Sequence, residues 1–421
     1  MKFAPCPEND FRDFYTEYYE RCRELVPKIE AIAAKWTFED LLPGLSDFDT
    51  RFICNDSMKP RDWTEMSMAV GHVHTSLAQR EKKWARLLEH LPGINVTWEE
   101  LVDWTRYYPE CNQWSFYLGD ADKLEEAQRT LRSYEWTERD EYFHIKKFSI
   151  YYGPYIRGID PPINLGPFEN KYPLHSRIWH YLVTPLQSAL SILKKRTITG
   201  KKETLRIAHE CLNSKRLIER IIDIVERHYE IPELCEDPGM MEFEEELKEL
   251  LHEAYCAIVP ELTIIESCPD DTPDDLRKRV KEVDVHLVQQ FFELIKFSRL
   301  MKGRLSFYSE EILWFDAIPC LRIELNRIGA WFYKQPLTVY GWLRWGKEMS
   351  AEEVAEMLRG DIWTDEDYHA VMEFARLAIL PDNTDEYRPV AREICAILDE
   401  LIMATEKLSS VVRRDFSLTR D

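Results

Sequence analysis

Positive charge is in short supply in this chain: 55 Lys and Arg stand against 76 Asp and Glu, a formal net charge of −21 over 421 residues. A general nucleic-acid binder needs a basic face to neutralise phosphates, so no nucleic-acid partner is expected. Also missing is any run of about 18 apolar residues, which leaves no membrane span to expect. No apolar stretch follows a basic start, so no secretory signal is read and the expected address is cytoplasmic. The ten cysteines are scattered. They lack both the C-x-x-C spacing of a zinc site and the density of a disulfide scaffold, and read as buried thiols in a reducing compartment. Neither a fixed-period repeat nor a low-complexity tract is found, which sets aside a solenoid and a disordered tail.

What the chain does hold is core. Hydrophobic residues make up 45% of it, ample for two or three domains. Strand-like runs are confined to the first third, and helical periodicity dominates the remainder. The expected fold is an α+β N-terminal domain over residues 1–165, followed by a large all-α helical domain over residues 166–421. Apolar positions Phe11, Phe14, Tyr18, Leu25, Ile29 and Ile32 predict one helix from Asp10 to about Lys35, kinked at Pro27. Trp36 to Leu42 reads as a short strand, and a long helix is predicted from Arg61 or Asp62 to His90. His72 and His74 on that helix point to nearly opposite sides and make poor joint metal ligands. The Gly- and Pro-rich stretch from Tyr152 to Pro173 reads as a linker or loop.

Most of the chemistry sits in Pro43-Gly44-Leu45-Ser46-Asp47-Phe48-Asp49-Thr50-Arg51-Phe52-Ile53-Cys54. After a Pro-Gly turn, two carboxylates two residues apart enter a run of strand formers. In a strand, residues i and i+2 share a face, which groups Asp47, Asp49 and Arg51 on one side and Phe48, Thr50, Phe52 and Cys54 on the other. Paired carboxylates at the mouth of an apolar strand suit a divalent metal, because Mg²⁺ takes oxygen ligands completed by waters and substrate phosphates. Chance also makes D-x-D pairs in so acidic a chain. Asp120-Ala121-Asp122 and Asp365-Glu366-Asp367 read as solvated turns or helix starts. A third acid is sought in Ile94-Asn95-Val96-Thr97-Trp98-Glu99-Glu100. Read as a strand, this stretch offers Glu99; read as a capping box, Thr97 is a helix N-cap with Glu100 three residues on.

Two of these segments carry a family resemblance. Gly44-Leu45-Ser46-Asp47-Phe48-Asp49 is similar to the S-D-x-D strand of DNA-polymerase-β-type nucleotidyltransferases, the group that includes the aminoglycoside nucleotidyltransferases. Gly153-Pro154-Tyr155-Ile156-Arg157-Gly158-Ile159-Asp160-Pro161 resembles a segment that often closes their catalytic domain. The resemblance implies a Mg²⁺-dependent transfer of a nucleoside monophosphate from a nucleoside triphosphate, ATP first among them, to an acceptor hydroxyl, with release of pyrophosphate. Asp47 and Asp49 match the two metal-binding acids, Glu99 is the candidate third catalytic acid, and Gly44, Ser46 and Arg51 are the candidate nucleotide contacts. About a dozen residues before its first acid the family has Gly-Ser or Gly-Gly; here that place falls near Trp36. Gly44 and Ser46 would then form either a compressed phosphate cradle or a plain turn. The acceptor is expected to be a small molecule held between the two domains.

Two alternatives belong to other classes. Asp270-Asp271-Thr272-Pro273-Asp274 matches the D-D-x-x-D of class I terpene synthases, but Pro269 and Pro273 predict a loop where that motif lies on a helix. A degenerate, non-catalytic helical interaction protein is the other. Its support is the aromatic stretch Tyr340-Gly341-Trp342-Leu343-Arg344-Trp345-Gly346, which reads as a partner surface or as core.

Overall fold

The computed structural model describes residues 8–35, 49–80, 91–103, 108–156, 183–230, 244–268, 270–272, 275, 279, 283–310 and 317–416. The expected strand over 36–42, the stretch 43–48 with Gly44, Ser46 and Asp47, and the end of the helix expected to reach His90 lie outside the described residues.

Helix α1 (Glu8–Leu25) buries Phe11, Phe14, Tyr15, Tyr18 and Cys22, a stripe at helical spacing. It does not continue to Lys35. Pro27 follows its end, and Ile29–Ala34 forms strand β1. The expectation of one kinked helix failed because Ile29 and Ile32 satisfy helical spacing by chance in a strand whose two faces are both covered. Ala31 and Ala33 pack into one core, Ile32 and Ala34 into another.

Strand β2 (Thr50–Cys54) pairs antiparallel with β1, Ala33 opposite Arg51. Helix α2 (Pro60–Arg80) follows, with Asp62 accepting the Lys59 backbone N–H at 2.7 Å. Val96–Thr97 forms β3, a short strand parallel to β2. It runs straight into α3 (Trp98–Val102), where Thr97 and Glu100 make a reciprocal capping box. Strand β4 (Phe116–Gly119), which the sequence reading did not identify, pairs with β1 on its far side. The result is a mixed sheet in the order β3-β2-β1-β4.

Helices α4 (Ala121–Ser133) and α5 (Glu138–Ile156) follow, with Asp120 as the N-cap of α4. Helix α5 carries on through Gly153 and Pro154, which had been expected to start a loop. Tyr152 is fixed there by stacking on Phe148 and Tyr255, with ring centroids 5.0 and 4.9 Å away.

Everything described beyond this point is helical or connecting: α6 (Thr184–Lys194), α7 (Lys201–Cys211), α8 (Lys215–Glu230), α9 (Glu244–Ile258), α10 (Val283–Ser298), α11 (Met301–Ser309), α12 (Ile318–Gly329), α13 (Gln335–Trp345), α14 (Ala351–Leu358), α15 (Asp365–Leu377) and α16 (Tyr387–Asp415). An α+β region followed by helices is thus the coarse architecture. Its cores do not follow a boundary at residue 165. The largest unites α1, one face of the sheet and α2 with helices α10 to α16; a second gathers α5, α6, α7, α8 and α9; a third lies on the opposite sheet face under α4. Among the described residues, no helix is long and apolar enough to cross a membrane.

Candidate functional site

Strand alternation places Asp49 and Arg51 on the face that also carries Ala33 and Ile53, while Phe52 and Cys54 turn into the largest core. Arg51 is buried, so its charge must be met locally. Its Nε donates to Glu110 at 2.9 Å and its Nη1 donates to Asp49 and, at 2.6 Å, to the Thr50 carbonyl. Gly93 makes room for the guanidinium, since a Cβ there would stand 3.0 Å from Arg51 Cζ. Arg51 had been expected to contact a nucleotide. It is buried and bonded to Asp49, Glu110 and the Thr50 carbonyl.

Glu110 enters from the 3₁₀ turn Pro109–Gln113 and also accepts from Lys35 at 2.9 Å. Burial pushes its carboxyl up, but Lys35, Arg51 and Lys147 outweigh that and hold it well below the usual carboxylate range. Lys147, on α5, reaches the same cluster and donates to Gln113 at 3.1 Å. Burial, together with the Lys35 cation, brings its amine down to about 7 against the pull of Glu110 and Asp49. Three cations and two carboxylates therefore share one patch at the N-terminal mouth of β2. Neither Glu110 nor Lys147 was found in the sequence. The one available signal was Arg51 itself, a charge on a strand whose neighbours are all buried, which demands an acid from elsewhere.

Glu99 does not join this patch. Because β3 runs parallel to β2, Glu99 lies past the C-terminal ends of both strands, exposed, with its backbone N–H on Asp56 at 2.7 Å. Asp49 sits at the opposite end. The stretch forms a two-residue strand that ends in the capping box, and the box turns Glu100 inward onto Arg299 through bonds of 2.6 and 2.8 Å. Arg299 also reaches the Asn95 carbonyl, and the Asn95 side chain accepts the Phe52 N–H. This chain of contacts fixes β2 against the helical part.

The donors suit a hard cation in kind. Asp49 offers carboxylate oxygen and is the more open acid, 28% exposed against 7% for Glu110. Among the described residues, no group of three or more possible ligands converges. Asp47, Gly44 and Ser46 lie outside them.

The other motifs have ordinary settings. His74 is buried against Tyr18, whose hydroxyl lies 3.0 Å from Nδ1, and His72 is exposed. Asp271 turns onto Arg279 and the Cys268 N–H in a non-helical segment, unlike a helix-borne diphosphate motif. Tyr340 and Leu343 are core, leaving Trp342 as the exposed aromatic of its stretch. Compared with known proteins, the chain matches no family model, no curated protein and no solved structure.

Proposed function

We propose that this chain is a Mg²⁺-dependent nucleotidyltransferase that moves a nucleoside monophosphate from a nucleoside triphosphate to a hydroxyl of a small-molecule acceptor. The observation that carries the reading is the position of Asp49: at the mouth of an interior strand, partly open, and backed by Arg51, Lys35 and Lys147. Such a patch can accept a polyphosphate, because the cations offset the charge that the two acids would otherwise repel. Asp47 and Asp49 would hold the ion, which when bound neutralises phosphate charge. Arg51 keeps Asp49 in place. In the transfer, the acceptor oxygen bonds to the α-phosphorus as the bond to pyrophosphate breaks, and the hydroxyl proton is released to solvent.

A second reading, a degenerate protein without chemistry, has its own support: Asp49 is ion-paired to Arg51 and Glu110 to Lys35 and Arg51, so the described charges balance without a metal. Thermal shift separates the two. Mg²⁺ with a nucleoside triphosphate should raise the melting temperature of the wild type and not of Asp49→Asn, while Mg²⁺ with an isoprenoid diphosphate should do nothing. Absence of any nucleotide-dependent shift would favour the degenerate reading.

A further inference from the structure

Beside the charged patch lies a cavity of about 310 Å³, within the size range of small-ligand sites. Its position is fixed by the sheet. Tyr117 in its wall and Arg51 are both cross-strand partners of Ala33, so Tyr117 stands two strand spacings, roughly 10 Å, from Arg51 on the same face. Cys111, another wall residue, directly follows Glu110.

The wall has a definite chemistry. Trp114 and Tyr117 supply ring surface, while Ser115, Gln128 and Thr199 supply hydroxyl and amide groups. Among its described residues there is no carboxylate. Its one cation, Arg132, bonds to the neutral Gln128 amide at 3.3 Å and has no acidic partner among the described residues. Two further polar atoms in wall residues, Trp114 Nε1 and Ser115 Oγ, are buried without a hydrogen-bond partner.

We infer that this cavity binds an uncharged or anionic hydroxylated ring compound of the sugar class, and excludes polycations. Aromatic faces take the apolar side of a sugar ring and short polar groups take its hydroxyls, whereas a polyamine would meet Arg132 with no acid among the described wall residues to balance it. That the bound sugar is the acceptor rests on the transfer reading above; the binding itself does not. Saturation-transfer NMR without nucleotide or Mg²⁺ tests it, using glucose, ribose, myo-inositol, sucrose, glucose 6-phosphate and ribose 5-phosphate, with tobramycin and adenosine beside them. The variants Leu131→Trp and Thr199→Trp fill the cavity from the helix and loop sides respectively, so a folding failure in one leaves the other, and melting curves report which is intact. At least one sugar or sugar phosphate should give a signal that is lost in a folded cavity-filled variant, and tobramycin should give none that depends on the cavity. No cavity-dependent sugar signal, or a cavity-dependent signal from tobramycin, overturns the inference; one from adenosine alone makes this the donor's nucleoside site and overturns it as well. Since nucleotide and metal are absent from the assay, its failure is distinct from failure of the transfer reading.

Discussion

Arg51 and Glu110 meet at 2.9 Å across a separation of 59 residues in the chain, both buried, with Asp49 as the second carboxylate on Arg51 and Lys35 as the second cation on Glu110. Removing the acid should be costly. Glu110→Gln leaves the buried Arg51 with Asp49 as its one remaining carboxylate and Lys35 beside a neutral amide, and stability should fall by about 3 kcal/mol, measured by urea unfolding at pH 7. A loss well below about 1 kcal/mol would mean that water already serves the pair.

The same acid sets an acid limit. Glu110 has its folded value depressed, so its contribution is fully present above the unfolded value of about 4.3 and disappears as pH falls through the folded value. Wild type should therefore lose stability more steeply than Glu110→Gln below about pH 4. Parallel acid profiles would contradict this.

Lys147 behaves in the opposite sense. Its amine is lowered to about 7, below the unfolded value of about 10.4, so between those limits the unfolded chain holds the extra proton. Stability should rise with pH across that window in the wild type and lose that component in Lys147→Met. Unfolding curves at pH 7 and pH 9 give the comparison.

Arg299 holds a different junction. It bonds Glu100 twice and Glu406 twice, tying the segment beside β2 to α16. Arg299→Met should cost about 3–5 kcal/mol, because both glutamates stay buried. A near-neutral variant would show that this triad can be replaced by packing.

The sequence made some of this plain and hid the rest for physical reasons. Alternation alone paired Asp49 with Arg51 and turned Phe52 and Cys54 inward, since strand periodicity is local. Helical periodicity misassigned Ile29 and Ile32, because a strand covered on both faces does not alternate. Thr97 and Glu100 offered a strand and a cap at once, and the chain uses both: a two-residue strand that ends in the cap. Glu110 and Lys147 carry no local signature; they are recruited by folding to answer the charge on Arg51. The short edge strand at Phe116–Gly119 was hidden among neighbouring aromatics and polar residues.

The proposed binding of a divalent ion with a nucleotide at the mouth of β2 can be read by electron paramagnetic resonance with Mn²⁺ standing in for Mg²⁺, titrated into wild type and Asp49→Asn with and without a non-hydrolysable ATP analogue. Asp49 is partly exposed and Arg51 keeps its bonds to Glu110 and the Thr50 carbonyl, so the variant should fold with a loss of no more than about 1 kcal/mol. The free-Mn²⁺ signal should fall in wild type when the analogue is present, by more than the analogue alone causes, and this extra loss should vanish in Asp49→Asn. Equal signals from the two proteins would contradict it.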